Sequence, residues 1–281
     1  MKEDRFFSRT GLVLWIGAVI GVVCVMPYVL ALVPSQGLKT GHAAIPTPAL
    51  IALSIAQSAL FLGVMTFSGL WAARRLGMGA PVVDAWLQRR APPDGIGHDI
   101  RVAAAWGLGA GMTLLALDLW VFGPMSRDSV GQLLRQRQPP PWMGLLASVE
   151  GGVTEEIELR LFLLSFLALG LRRLTRRTDK LITPPRGTPP RGGAVFWTAN
   201  VLAAVLFGLG HLPVTARLVT LTPVVIARAV VLNGLVGLIA GWLFRRRGIE
   251  CAMVAHFSAD LVLHVGAPLG QAWLLGLAGL S

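Results

Sequence analysis

Long apolar stretches, separated by short segments rich in Arg, Pro and Gly, run through the whole chain. They lie near residues 11–33, 48–72, 102–123, 142–170, 194–212, 219–244 and 249–265, with a weaker one at 268–280. Several of them reach the roughly 20 residues that a helix needs to cross a bilayer. The pattern predicts an all-α polytopic membrane protein, a bundle of about eight transmembrane helices.

Composition supports this class of protein. Of the 281 residues, 54% are hydrophobic and only 14% are charged, whereas soluble domains have about 25% charged residues. The first apolar stretch is too long for a typical cleaved signal peptide, so we expect it to be retained. The two cysteines, Cys24 and Cys251, lie in or beside predicted helices and indicate no disulfide framework.

The net charge of +11 is distributed unevenly between the segments that join the helices. Of the 25 Lys and Arg residues, 18 fall in the N-terminal tail and in the alternate loops 73–101, 171–193 and 245–247. The positive-inside rule therefore predicts that the N-terminus and these loops are cytoplasmic. The basic residues would then contact anionic lipid of the bilayer rather than nucleic acid. We expect a multi-pass protein of a bacterial inner membrane.

Few polar side chains fall inside the apolar stretches, and each is costly there unless it is paired or lines a polar cavity. They are Asp118, Glu150, Glu155, Glu156, Glu158, Arg160, Asn200, His211, Arg228, Asn233, His256, Asp260 and His264. Helical spacing sorts most of the ionisable ones into three groups on three predicted helices. The spacing gives no role to Asp118, Arg228 or His264.

The first group lies in "GGVTEEIELR", residues 151–160. Glu156 and Arg160 are four residues apart, so they share one helix face and can form a buried ion pair. Glu155 projects about 100° away at 3.6 residues per turn, stays unpaired on its own helix and is free to act as a base. The cluster could instead be packing between helices, with no chemistry.

The second group is "FGLGH", in which Phe207 and His211 are one helical turn apart. Pro213 then ends the regular helix. The two glycines between Phe207 and His211 allow a neighbouring helix to approach closely. A lone His at a helix end is often structural, so this motif has meaning only together with the other two.

The third group is "HFSADLVLH", in which His256, Asp260 and His264 repeat every four residues and therefore face one direction. A carboxylate one turn away commonly orients a histidine. Asp260 could instead only satisfy His264 or Arg228 within the bundle. Three ionisable groups on one apolar helix face nevertheless exceed what packing requires.

Together the motifs resemble those of the CPBP family, the CAAX proteases and bacteriocin-processing enzymes that are also called the Abi family. The family's motifs are Glu-Glu with Arg five residues after the first Glu, Phe-x-x-x-His, and His-x-x-x-Asn or His-x-x-x-Asp. They are met here, in order, by Glu155, Glu156 and Arg160, by Phe207 and His211, and by His256 and Asp260. The resemblance covers about 142–265. It departs from the family where Leu159 replaces an aromatic residue that often precedes the Arg.

The resemblance divides the chain into an N-terminal part, 1–141, with three transmembrane helices, and a CPBP-like catalytic core, 142–281. The core would contain the Pro/Arg-rich cytoplasmic loop 171–193. The resemblance implies an intramembrane endopeptidase, a hydrolase that cleaves peptide bonds. Its active site would lie in a cavity inside the membrane. Its partner would be a membrane-associated peptide or protein substrate. Family members act on prenylated C-terminal tails, bacteriocin leaders or C-terminal sorting tails, and the sequence does not choose among these.

The resemblance also implies a role for each motif residue. Glu155 and His211 would activate water, His256 and Asp260 would steady the oxyanion, and Glu156 with Arg160 would form the scaffold. Peptide hydrolysis needs a base for water and preorganised donors for the oxyanion. Each buried polar group needs a partner, and the sequence does not contain a separate partner for each of Glu155, His211, His256 and Asp260. We therefore expect these four residues to converge around one water-sized polar site.

Other interpretations of the same residues stay open. Glu155, His211 and His256 could bind zinc, which takes three protein ligands and a water in catalytic sites. The usual His-Glu-x-x-His signature is absent, so we predict glutamate chemistry with no metal or other cofactor. The chain could also be a non-catalytic immunity or scaffold protein of the same fold. Secondary transport is disfavoured, because no inverted repeat is visible.

The charge pattern makes a testable prediction of topology. In a chain whose native cysteines are replaced, single cysteines placed in 34–46 should react with a membrane-impermeant maleimide added from outside, because that loop is predicted to be external. Cysteines placed in 173–193 should react only after the membrane is permeabilised, which is the control for their reactivity. The reverse pattern in intact cells would overturn the orientation.

Overall fold

The computed structural model describes residues 2–32, 47–125, 139–175 and 193–277. Within these ranges the chain is almost entirely helical and forms no β-strand. The all-α class predicted from the apolar pattern is therefore confirmed. The loop predicted to be external, and most of the Pro/Arg-rich loop predicted at 171–193, lie outside the described residues.

The helices follow one another with short connections in the described ranges. They are α1 (Lys2–Leu32), α2 (Thr47–Arg75), α3 (Pro81–Leu87), α4 (Ile96–Met125), α5 (141–174), α6 (Gly193–Gly210), α7 (Leu212–Leu218), α8 (Pro223–Arg247) and α9 (249–277). As predicted, the regular helix α6 ends before Pro213, which lies in the first turn of α7. His211 therefore lies at the junction between α6 and α7.

Six helical segments of the described residues are long and apolar enough to cross a membrane. They are Phe6–Leu32, Pro48–Arg75, Ile96–Met125, Gly193–Leu218, Pro223–Arg247 and Ile249–Trp273. A multi-pass membrane protein is therefore confirmed. Helix α5 occupies the stretch predicted at 142–170, but its charged residues keep it out of this set, and its crossing stays a prediction.

The last two predicted spans, 249–265 and 268–280, are not separate, because α9 runs continuously from 249 to 277. Gly266 and Pro268 suggested a break between them. A π-helical segment, Leu261–Gly266, lies directly before this point. A local change of helix type can accommodate a proline that would otherwise end the helix.

Three apolar clusters hold the described helices together. The largest combines residues of α1, α2, α5, α6, α8 and α9, and the other two each combine residues of α4, α8 and α9. The opposite face of α2 is apolar as well, with Leu60 71%, Phe61 56% and Val64 63% exposed. Such a surface suits contact with lipid hydrocarbon, since large apolar patches are rare on soluble monomers.

Glycines let the helices with the polar motifs pack closely against their neighbours. A Cβ at Gly107 of α4 would collide with the backbone oxygen of Ala255 in α9. A Cβ at Gly69 of α2 would lie 2.8 Å from the carbonyl carbon of Leu161 in α5. Small residues of this kind allow close contact between membrane helices. Helix α9 is therefore packed closely against α4, and helix α5 is packed closely against α2.

Asp118 and Arg228, which the sequence left without a role, pair with each other across α4 and α8. Nε and Nη2 of Arg228 donate to the two carboxylate oxygens of Asp118 at 2.7 and 2.5 Å. A bidentate pair of this geometry satisfies both charges. The alternative that Asp260 serves to pair Arg228 is therefore wrong.

Candidate active site

The charged residues of α5 lie where this helix widens from an α-helix into a π-helix. The π-helical segments are Gly151–Glu155 and Ile157–Leu164. Consistent with the wider turn, the Ser165 hydroxyl donates to the backbone oxygen of Arg160, five residues earlier, at 3.1 Å. Segments of this kind are rare and occur frequently at functional sites. Neighbouring side chains diverge less in a π-helix than in an α-helix, so Glu155 and Glu156 can both reach α9.

Glu156 and Arg160 form the ion pair that the spacing predicted. Nη1 of Arg160 lies 3.1 Å from Oε1 of Glu156, and the side chains are 3% and 0% exposed. The guanidinium also lies over the ring of Phe207, with Cζ 5.2 Å from the ring centroid. Gly237 of α8 leaves room for it, since a Cβ there would lie 3.5 Å from Nη2. The pair is confirmed, and it is buried between three helices.

His256 of α9 lies among three carboxylates. Its Nδ1–H donates to Oε1 of Glu156 at 2.7 Å, because a carboxylate can only accept. Its Nε2 lies 3.6 Å from Oε2 of Glu155 and 3.8 Å from Oδ1 of Asp260. The hydrogen bond to Glu156 thus fixes the ring so that Nε2 faces the remaining two carboxylates.

Glu155 faces two histidines, one with each carboxylate oxygen. Oε1 lies 3.8 Å from Nε2 of His211, and Oε2 lies 3.6 Å from Nε2 of His256. His211 is oriented by its other ring nitrogen, Nδ1, which donates to the backbone oxygen of Phe207 at 3.0 Å. Both distances to Glu155 exceed a direct hydrogen bond and have the length that a bridging water spans.

The exposed fraction of the side chains rises across this cluster. It is 0% for Glu156, 5% for His256, 12% for Asp260, 22% for Glu155 and 37% for His211. The ion pair is therefore sealed inside the bundle, whereas Glu155 and His211 lie at the accessible end. A substrate or a water can reach the second pair without disturbing the first.

Two further residues, Phe207 and Gly151, lie directly against this cluster. The ring of Phe207 contacts His211 and His256 edge-on, with centroids 4.8 and 5.7 Å apart. A Cβ at Gly151 would collide with Oδ2 of Asp260 and lie 3.5 Å from Nε2 of His256. Sequence reasoning used Phe207 only for its spacing and missed Gly151. The glycine pair directly before the glutamates was the signal that could have revealed the close contact.

The structure brings all six candidate residues into one cluster: Glu155, Glu156, Arg160, His211, His256 and Asp260. The prediction that three of the residues on α9 face one direction assumed α-helical spacing through to His264. The π-helical segment Leu261–Gly266 lies between Asp260 and the next turn, and Nδ1 of His264 makes a hydrogen bond with Tyr28 of α1 at 3.1 Å. Whether His264 faces the same way as His256 and Asp260 stays a prediction.

The zinc alternative can be compared with the placement of its proposed ligands. Among the residues that the structure describes, no group of three His, Cys, Asp or Glu side chains is arranged to hold a metal ion. Glu155, His211 and His256 are not such a group in this structure. The metal dependence of the site stays a prediction.

Residues 137–262 match a family model that is described as type II CAAX prenyl endopeptidase, Rce1-like. We refer to these residues as the Rce1-like segment, after the family to which they are similar. The match confirms the resemblance to the CAAX protease group, and it supports a protease. All six candidate residues lie within the Rce1-like segment, which begins just before α5 and ends inside α9. No curated protein and no solved structure matches the chain.

The unequal burial of the two glutamates in the Rce1-like segment predicts unequal effects on stability. Glu156→Gln should lower the melting temperature in detergent strongly, because it leaves Arg160 buried without a counter-charge at a cost of about 3–5 kcal/mol. Glu155→Gln should change it little, because Glu155 is 22% exposed and makes no direct hydrogen bond to any of the described residues. Glu158→Gln on the same helix is the matched control. Equal losses in the two mutants would show that the ion pair is not what holds the site.

Proposed function

We propose that the chain is an intramembrane endopeptidase that hydrolyses a peptide bond near the C-terminus or leader of a membrane-associated polypeptide. The observation that carries the proposal is the placement of Glu155. Its two carboxylate oxygens lie 3.8 and 3.6 Å from the Nε2 atoms of two histidines on different helices. One carboxylate between two oriented imidazoles is suited to take a proton from water and to deliver it later.

Glu155 and His211 are the water-activating pair in this proposal. A water between Oε1 and Nε2 donates one proton to the carboxylate while its oxygen attacks the carbonyl carbon of the peptide bond. Both heavy-atom distances from such a water would fall within hydrogen-bond reach. The greater exposure of these two side chains supports this role, because the water must enter and the substrate must approach there.

His256 is the donor for the oxyanion that forms on the carbonyl oxygen. Because its Nδ1–H is engaged by Glu156, the nitrogen available to the substrate is Nε2. A proton on Nε2 makes it a preorganised donor, and such donors are usually a large part of catalysis of this kind. Asp260, 3.8 Å from Nε2, orients and charges the ring rather than contacting the oxyanion itself.

Collapse of the tetrahedral intermediate completes the reaction. The bond between the carbonyl carbon and the amide nitrogen breaks, and Glu155 returns its proton to the leaving amine. The carboxylate is then ready for another water. Glu156 and Arg160 take no part in these transfers and hold His256 in place. The proposal passes no step through a metal.

The substrate class follows from the surroundings of the site. The helices with the catalytic candidates lie among segments that are apolar enough to span a membrane. A polypeptide that reaches such a site is itself held at the membrane, by a lipid group or by an apolar segment. The matched family, described as a CAAX prenyl endopeptidase, supports a C-terminal tail with a lipid group as the first candidate.

Loss of the base should change the peptides that the cell accumulates. Membrane and secreted peptides from cells with the wild type and with Glu155→Ala should differ, by mass spectrometry, in species related by one cleavage. Removal of a general base typically lowers a rate by about 10²–10⁴-fold. Glu158→Ala is the matched control, since that residue lies on the same helix outside the cluster. If the Glu155→Ala and wild-type peptides are the same, the non-catalytic scaffold alternative is favoured.

The space at Gly151 offers a second test that leaves every reacting group in place. Gly151→Ala should abolish most of the cleavage that Glu155→Ala identifies, because the added methyl group displaces the Asp260 carboxylate beside His256. Gly170→Ala is the control on the same helix, where a Cβ meets nothing within 4 Å. Melting temperatures separate loss of the site from loss of the fold. Full activity of Gly151→Ala would contradict the assigned place of Asp260.

A further inference from the structure

Tyr28 and His264 form a hydrogen-bonded pair outside the Rce1-like segment. The Oη atom of Tyr28 lies 3.1 Å from Nδ1 of His264, and the rings meet edge-on with centroids 5.3 Å apart. Neither residue falls within the matched range 137–262. Tyr28 is also the single tyrosine of the chain. A polar pair between apolar helices needs an explanation.

Helix α1, which contains Tyr28, packs against the part of α5 that contains Glu155. The hydroxyl of Thr154, the residue before Glu155, donates to the backbone oxygen of Ala18 at 2.9 Å. Gly21 packs against the same hydroxyl, and a Cβ there would also lie 3.3 Å from Cα of Glu150. Thr154 is 2% exposed. The position of α1 relative to Glu155 is therefore fixed by a buried contact.

The position of His264 is fixed by a close backbone contact as well. Gly144 of α5 lies directly against the carbonyl oxygen of His264, and a Cβ at Gly144 would lie 3.1 Å from the His264 Cβ. Asp260 lies four residues before His264 on α9, and it packs against Gly151 of α5, seven residues after Gly144. The pair thus lies next to the cluster of candidate residues, along the same two helices.

The chemistry of the two groups sets the direction of their hydrogen bond. A phenol hydroxyl is a stronger donor than an imidazole N–H, and an imidazole nitrogen is a stronger acceptor than a phenol oxygen. Tyr28 therefore donates to Nδ1 of His264, which places the imidazole proton on Nε2. Within the described residues the bond to Tyr28 is the one hydrogen bond of the His264 side chain. The Nε2–H remains available as a donor.

We propose that Tyr28 is a positioning residue that holds His264 with its Nε2–H available to the main chain of the substrate. Helix α1 would then complete the active site from outside the Rce1-like segment. This inference rests on the proposed function, since it assigns His264 a place beside the reacting peptide bond. An extended peptide presents carbonyl oxygens on both sides of the scissile bond, and a donor at the edge of the site can bind one of them.

The test of the pair is a cycle of variants in the full-length protein. Tyr28→Phe removes the hydroxyl and keeps the ring, and His264→Gln supplies an amide N–H near the place of Nε2 without help from Tyr28. The readout is the rate of the cleavage that Glu155→Ala abolishes, in membranes. Tyr28→Phe should slow it by about 3- to 10-fold, the worth of one neutral hydrogen bond. In the His264→Gln background, Tyr28→Phe should slow it no further.

A structural role would give a different result. Trp15→Phe is the control, because Nε1 of Trp15 on the same helix donates to the backbone oxygen of Ala59 in α2 at 2.7 Å, outside the cluster. It should leave the cleavage rate unchanged even where it lowers the melting temperature. Equal losses of rate from Tyr28→Phe with and without His264→Gln would overturn the positioning role. So would a wild-type rate in Tyr28→Phe while Glu155→Ala is inactive.

The hydrogen bond can also be observed without any activity. In protein grown with 3-fluorotyrosine, Tyr28 gives a single fluorine resonance, since the chain has one tyrosine. The resonance should shift in His264→Gln and stay in place in Trp15→Phe. An unchanged resonance in His264→Gln would overturn the pair itself. If instead Glu155→Ala cleaves as the wild type does, the proposed function fails first, and the resonance still decides whether the pair exists.

Discussion

The buried contact between Glu156, Arg160 and His256 is the interaction on which the rest of the site depends. All three side chains lie in apolar surroundings and are at most 5% exposed. A charge in such a place is tolerated only when it is paired and hydrogen-bonded. Glu156 meets both demands at once, since Oε1 accepts from His256 at 2.7 Å and lies 3.1 Å from Arg160. Because the contact joins α5 to α9, it fixes the relative position of two helices that are distant in sequence.

The local widening of α5 is what lets one helix provide both the scaffold and the base. In a regular α-helix, neighbouring side chains diverge by about 100°, which would turn Glu155 away when Glu156 faces α9. The π-helical turns reduce this divergence, and Glu155 reaches both His211 and His256. Gly151 and Gly237 give the space that the charged side chains need. The formation of the polar cluster thus depends on the backbone geometry as much as on the residue types.

The sequence predicted the class of protein, and it selected the residues that the structure brings into one cluster, because both depend on local signals. Long apolar stretches identify membrane helices, and charges inside them are rare enough to stand out, as Glu156, Arg160 and His256 do. Backbone geometry was harder to predict. Spacing arguments assume 3.6 residues per turn, and the π-helical segments of α5 and α9 depart from it. This is why α9 was divided in two.

Partners across helices could not be predicted from spacing at all. Arg228 pairs with Asp118, 110 positions away, and the sequence offers no periodicity over that distance. Tyr28 was overlooked for another reason, since a tyrosine in an apolar stretch is common and carries no charge. Its partner His264 was visible, but the contact depends on the packing of α1 against α5 and α9. Long-range pairs of this kind follow from the assembled bundle.

The graded exposure of the cluster connects its stability to its chemistry. Groups that must stay ionised and fixed gain from being sealed, because a low-dielectric interior strengthens their mutual attraction. Groups that must exchange protons with water need access to it, and here these are Glu155 and His211, at 22% and 37% exposure. A uniformly buried cluster would be a structural network, and a uniformly exposed one would lack orientation. The gradient from Glu156 to His211 combines the two demands within one cluster of polar groups, and the proposed hydrolysis would need both of them.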